Sequence, residues 1–138
     1  MVDKTLLASK IAAIRDAATR VREVIPADRE AFAADRTARE VILLNLFVAI
    51  QECMSLATHW LADEGLDVPP TYADVFRRLG ERAVITQDLA TRLAAASGFR
   101  NLVAHQYGAL DWGRVYDIAA EGLGDLLSFC DALAARVR

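Results

Sequence analysis

The chain reads as an all-α protein, a bundle of about five helices. Three observations carry that reading. Apolar residues recur at steps of three and four through most of the sequence. No stretch alternates apolar and polar residues as a half-buried strand would. Proline, glycine and capping residues fall where those periodic segments should start and stop. A chain of 138 residues predicts one domain, 1–138, that buries about two thirds of its unfolded surface.

The first helix carries Leu7, Ile11, Ile14, Ala18, Val21 and Ile25 on one stripe, with Lys10, Arg15, Arg20 and Arg22 off it. Pro26 ends it, and Asp28 is placed to cap its successor. The second helix is long, from about Arg29 to Asp63. Its middle, Val41 to Ile50, is apolar all round apart from Asn45. A helix without a wet face needs cover on both sides, and in so small a chain the second cover is another copy of the chain. Gly65 to Pro70 is the clearest loop, and Pro69-Pro70-Thr71 opens a short third helix that stops near Gly80. Thr86 caps a fourth helix carrying Leu89, Leu93 and Ala96; Gly98, Phe99 and a polar octet follow, then Gly108. Asp111 begins the fifth, striped by Val115, Ala119, Gly122, Leu126, Cys130, Leu133 and Val137. Gly122 and Gly124 within it each cost about 1 kcal/mol relative to alanine, which close helix packing would explain.

A formal net charge of −3 argues against a general nucleic-acid coater but leaves room for a local basic groove. Lys4 and Lys10 are the only lysines, so arginine supplies nearly all the positive charge. No uninterrupted apolar run reaches the roughly 18 residues of a membrane span. Met1-Val2-Asp3-Lys4 leads into an amphipathic pattern rather than a signal peptide. The expectation is a cytoplasmic protein without a membrane partner. Cys53 and Cys130 fit neither a zinc pattern nor a disulfide framework, and are expected buried and reduced.

The chemistry concentrates in Arg100-Asn101-Leu102-Val103-Ala104-His105-Gln106-Tyr107. A guanidinium, an amide, an imidazole and a phenol there can hold a phosphate and move a proton near neutral pH, without a metal or other cofactor. On an ideal helix Asn101 and His105 share a face, whereas Arg100 and His105 diverge by about 140°. Either the helix bends toward Gly108 or another chain completes the site. Tyr107, seven beyond Arg100, returns to the arginine's side. A two-fold dimer with facing octets satisfies both the dry second helix and the divergent pair. His59, the other histidine, lies beside Trp60 and reads as structural or surface. Trp112 and Tyr116 suit packing better than base stacking, and Arg77, Arg78, Arg82 and Arg92 fit a solvated face as well as a basic approach.

Phe99 through Tyr107 resembles the Arg-x4-His-x-Tyr signature of the HepT-like ribonuclease toxins of the HEPN superfamily. The likeness extends through Leu44-Asn45-Leu46, Ala49-Ile50-Gln51, Val68-Pro69 to Tyr72 and Phe76, Val115-Tyr116, and Leu126 to Phe129. It implies a homodimeric HEPN-type bundle acting as a metal-independent endoribonuclease toxin of a type VII-like toxin–antitoxin pair, with mRNA or tRNA as substrate. It also implies a minimal nucleotidyltransferase antitoxin as partner, in a larger hetero-oligomer, which attaches AMP to the motif tyrosine, here Tyr107. Arg100 and His105 match the catalytic pair, and Asn101 the polar position beside them. The chain departs from the family at Gln106, commonly acidic, and at Ser55, commonly Asp. Those departures leave an alternative: a non-catalytic HEPN dimer that binds nucleotide or docks its partner.

In the catalytic reading His105 exchanges a proton with the ribose 2′-hydroxyl or the leaving oxygen, and Arg100 holds the scissile phosphate. Asn101 orients His105 or donates to a phosphate oxygen. One histidine per chain cannot be acid and base at once, whereas two facing copies can.

Overall fold

The computed structural model describes residues 2–137, and every regular element among them is helical. Helix α1 spans Lys4–Val24, α2 Arg29–Ala34, α3 Arg36–Asp63, α4 Tyr72–Glu81, α5 Gln87–His105, α6 Trp112–Glu121 and α7 Leu123–Ala135, with a 3-10 turn at Tyr107–Ala109. The caps follow from the sequence. Asp3, Asp28, Thr71, Thr86 and Asp111 each accept backbone N–H groups that the first turn of a helix leaves unpaired.

Among the described residues seven α-helices stand where about five were expected, because both long helices are interrupted. The first break is Asp35, at φ −109° and ψ 94°. Its carboxylate accepts the Ala38 N–H at 3.0 Å, so it caps α3 and detaches α2. The detached α2 turns Phe32 into the core against Trp112 and Tyr116 of α6, with ring centroids 6.1 and 5.6 Å away. Arg29 pairs with Asp117 on the same side.

The second break is Gly122, where a Cβ would lie 2.8 Å from the Ile118 carbonyl oxygen. The glycine there permits a kink between α6 and α7, rather than a close approach of two helices. A Cβ at Gly124 would meet nothing within 4 Å, so packing does not account for that glycine. Close helix packing is instead found at Gly80 inside α4, where a Cβ would come within 2.8 Å of the Ala90 Cβ of α5.

Helix α3 is the axis of the fold. Its residues Ile42, Leu46, Ala49, Ile50, Cys53, Ala57 and Leu61 are buried, and the α1 stripe from Leu7 to Val21 packs against them. Cys53 and Cys130 are both buried free thiols, as expected. Burial pushes the Cys53 thiol well up, and contact with Cys130 adds to the shift. By length and composition α3 could cross a bilayer, and half of its apolar window is already buried within the fold. That burial accounts for its composition. Its outer face is not covered: Leu44 is 63% exposed and Val48 36%.

Candidate functional site at the end of α5

The polar octet occupies the last turns of α5 and the turn beyond. Helix α5 runs unbroken through Gly98 to His105, so Arg100, Asn101 and His105 are helical. Gln106, at φ −138° and ψ 43°, ends it, and Tyr107 falls in the 3-10 turn. The helix therefore does not bend to bring Arg100 and His105 together, and their divergence persists within one chain. Tyr107 is not carried to the arginine's side on a continued helix, yet it shares a groove with Phe47, the ring beneath the Arg100 guanidinium. It sits 53% exposed, with its ring edge-on to Trp112 at 6.4 Å.

Helices α3 and α5 run antiparallel. Leu43, Leu44 and Phe47 share a groove with Val103 and Tyr107, while Ile50, a turn later, shares a cavity with Ala96 and Phe99. This register sets the arginine's surroundings. Its guanidinium lies over the Phe47 ring, 5.2 Å from the centroid, and Nη1 donates to Asn101 Oδ1 at 3.1 Å. Its Nε is buried and has no hydrogen-bond partner. Asn101 thus engages Arg100 and not His105, although it shares a helix face with the histidine. The His105 side chain is exposed and makes no hydrogen bond or ion pair among the described residues. The outer nitrogens of a stacked guanidinium can bind phosphate oxygens, and an exposed imidazole can take or give a proton.

Two groups near this site escaped sequence reasoning. Phe47 supplies the platform for Arg100, and Gln51, one turn further along α3, has a buried and unpartnered Oε1. Their i, i+4 spacing was the available signal, obscured by the apolar run around it. A second unanticipated group flanks Tyr107. Arg36 bonds Glu40 at 2.7 Å; that bond, and the nearby Tyr107 oxygen to a smaller degree, raise the guanidinium pKa. Arg39 lies over Trp112, 5.3 Å from the ring centroid.

The remaining candidates take ordinary roles. Trp112 and Tyr116 pack on Phe32, and Tyr116 donates to the Pro26 carbonyl at 3.1 Å. His59 is exposed. Arg77, Arg78 and Arg92 are ion-paired with Asp74, Glu81 and Asp125, as on a solvated face, and Arg82 is exposed. Ser55 is half-buried on α3, two helical turns beyond Phe47 and one beyond Gln51. Among the described residues no group of three His, Cys, Asp or Glu could hold a metal ion.

The family model for Ribonuclease HepT-like proteins matches residues 14–133. The chain belongs to the HepT-like ribonuclease family. Its enzyme class is that of an endoribonuclease. The mRNA nuclease HepT of Shewanella oneidensis is 29% identical over 130 residues, which cover 94% of this chain and 97% of that protein. The fold superposes on a tri-AMPylated Shewanella oneidensis HEPN toxin in complex with MNT antitoxin. The TM-score is 0.87 and the identity 30%, with 98% of this chain and 99% of the other covered. A crystal structure of a toxin–antitoxin with AMP-PNP matches with a TM-score of 0.87 at 28% identity, covering 95% and 98% of the two chains. The HEPN bundle anticipated from the octet is therefore the fold of this HepT-like chain.

Proposed function

We propose that this HepT-like chain is the toxin of a type VII-like toxin–antitoxin pair, cutting RNA without a metal through Arg100 and His105. The observation that carries the reading is the state of those two side chains. Arg100 is pinned on the Phe47 ring, and His105 is exposed with no hydrogen bond or ion pair among the described residues. His105 takes the proton of the ribose 2′-hydroxyl, whose oxygen attacks the adjacent phosphorus as the 5′-oxygen leaves. Arg100 offsets the charge that gathers on the phosphoryl oxygens.

The acid that protonates the leaving oxygen is His105 of a second copy. The exposed Leu44 and Val48 are the seam of that homodimer, since an apolar stripe left open beside the site is what a second copy would cover. A nucleotidyltransferase antitoxin neutralises the enzyme by attaching AMP to Tyr107. The exposure of that phenol supports this, as do the AMPylated and antitoxin-bound relatives.

The test is cleavage of a labelled RNA in EDTA. The reading expects fragments ending in 2′,3′-cyclic phosphate and a loss of about 10²-fold or more in His105→Ala, as removal of a general acid–base group requires. Unchanged cutting by His105→Ala would defeat it. Sedimentation of Leu44→Glu should show a monomer where the unaltered chain is a dimer.

A further inference from the structure

Three buried side-chain atoms among the described residues lack a hydrogen-bond partner: Gln51 Oε1, Trp60 Nε1 and Arg100 Nε. Two of the three belong to one neighbourhood. Gln51 follows Phe47 by one helical turn on the same face of α3, and the Phe47 ring carries the Arg100 guanidinium. Phe47 lines a groove with Val103, and Ile50 lines a cavity with Ala96 and Phe99, an antiparallel register that brings Gln51 to within about one turn of Arg100 along the α3–α5 seam. An acceptor on one helix and a charged donor on the other are each cut off from water, and each is unsatisfied.

A buried polar group without a partner destabilises a fold, and a leucine or methionine would fill the same space on α3 without that cost. In the resting chain the Arg100 side chain is tied through Nη1 to Asn101. A phosphodiester that draws the outer guanidinium nitrogens to itself must release that tie. It then leaves Nε as the one edge by which the protein can still fix the plane of the group.

We infer that Gln51 is a positioning residue for Arg100, its Oε1 accepting from Nε when the guanidinium turns from Asn101 to the substrate phosphate. This rests on the ribonuclease reading above. Gln51 touches no reacting atom. It restricts rotation of the guanidinium, so that the paired donors meet the phosphoryl oxygens in the transition state rather than only in the bound complex.

The experiment measures kcat, KM and melting temperature on a fluorescently end-labelled single-stranded RNA of mixed sequence, with the full chain and two variants. Gln51→Leu should lower kcat about tenfold or more with KM changed less than about twofold, because the interaction strengthens only in the transition state. It should also melt higher than the unaltered chain, since an orphaned amide has been replaced by apolar surface. Gln51→Glu, which keeps an acceptor at the same reach, should hold kcat within about threefold of the unaltered chain. An unchanged kcat in Gln51→Leu, with normal cutting by the unaltered chain, would overturn the inference alone. A lower melting temperature for Gln51→Leu would also overturn it, by showing the amide to be partnered already. No cutting by the unaltered chain would remove the ribonuclease reading itself and this inference with it.

Discussion

The two ends of α5 obey different rules. From Leu89 to Phe99 the helix is built for burial: Leu89, Ala90, Leu93, Ala94, Ser97 and Phe99 are all inside. The polar groups there are paired, Ser97 donating to the Ala94 carbonyl at 2.6 Å and Arg92 bonding Asp125 at 2.9 Å. From Arg100 onward no residue of α5 is fully buried, and among the described residues Arg100 keeps an unpaired donor and His105 has no partner. One helix thus carries the stability of the α3–α5 contact on its first turns and, in the proposed function, the chemistry on its last. Groups held ready for a substrate are those the folded chain leaves unsatisfied.

The largest effects should separate the two ends cleanly. Leu93→Ala removes a fully buried side chain and should cost about 2–5 kcal/mol, read as a lower midpoint in denaturant. Arg100→Ala should instead leave the midpoint almost unmoved and reduce RNA cleavage about 10²–10³-fold, the loss expected when a transition-state donor is removed. A large loss of stability in Arg100→Ala would erase the distinction. His59→Ala is the matched control for His105→Ala: both imidazoles are exposed, and only the second should change cleavage.

A middle-sized test bears on the buried half alone. Gly80→Ala adds a methyl group within 2.8 Å of Ala90 Cβ, where α4 meets α5. Overpacking of this kind costs about 1–3 kcal/mol, against about 1 kcal/mol gained in helix propensity. A net fall in melting temperature is expected, with cleavage per folded molecule unchanged. A rise would show that the two helices separate easily.

What the sequence made legible follows the same division. The α1 stripe and the caps at Asp28, Thr71, Thr86 and Asp111 are local signals, decided by a residue and its next three neighbours. The octet was legible for the same reason, as residue types at fixed spacing. The breaks at Asp35 and Gly122 were not, since the apolar period continues across both and only tertiary packing of Phe32 and the α6–α7 kink reveals them. Placing Tyr107 on an ideal helix failed because the helix ends at His105. The orphaned Gln51 was hidden for a further reason: its lack of a partner is set by the register of α3 against α5, which no single segment encodes.

The smallest effect is expected just ahead of the structural end of α5, at Ala83, which has a left-handed φ of 57° in the turn after α4. A Cβ is penalised there by about 1 kcal/mol, and glycine is free of that penalty. Ala83→Gly should nonetheless gain less than about 1 kcal/mol, because glycine also loses more freedom on folding. The Ala83 carbonyl, which accepts from Arg136 at 2.7 Å, is retained in either case. Since the turn feeds only the buried half of the helix, the gain should appear in the melting temperature and be absent from kcat. A change in kcat at Ala83→Gly would mean that strain at the start of α5 reaches Arg100, so that the two ends are one mechanical unit and not two.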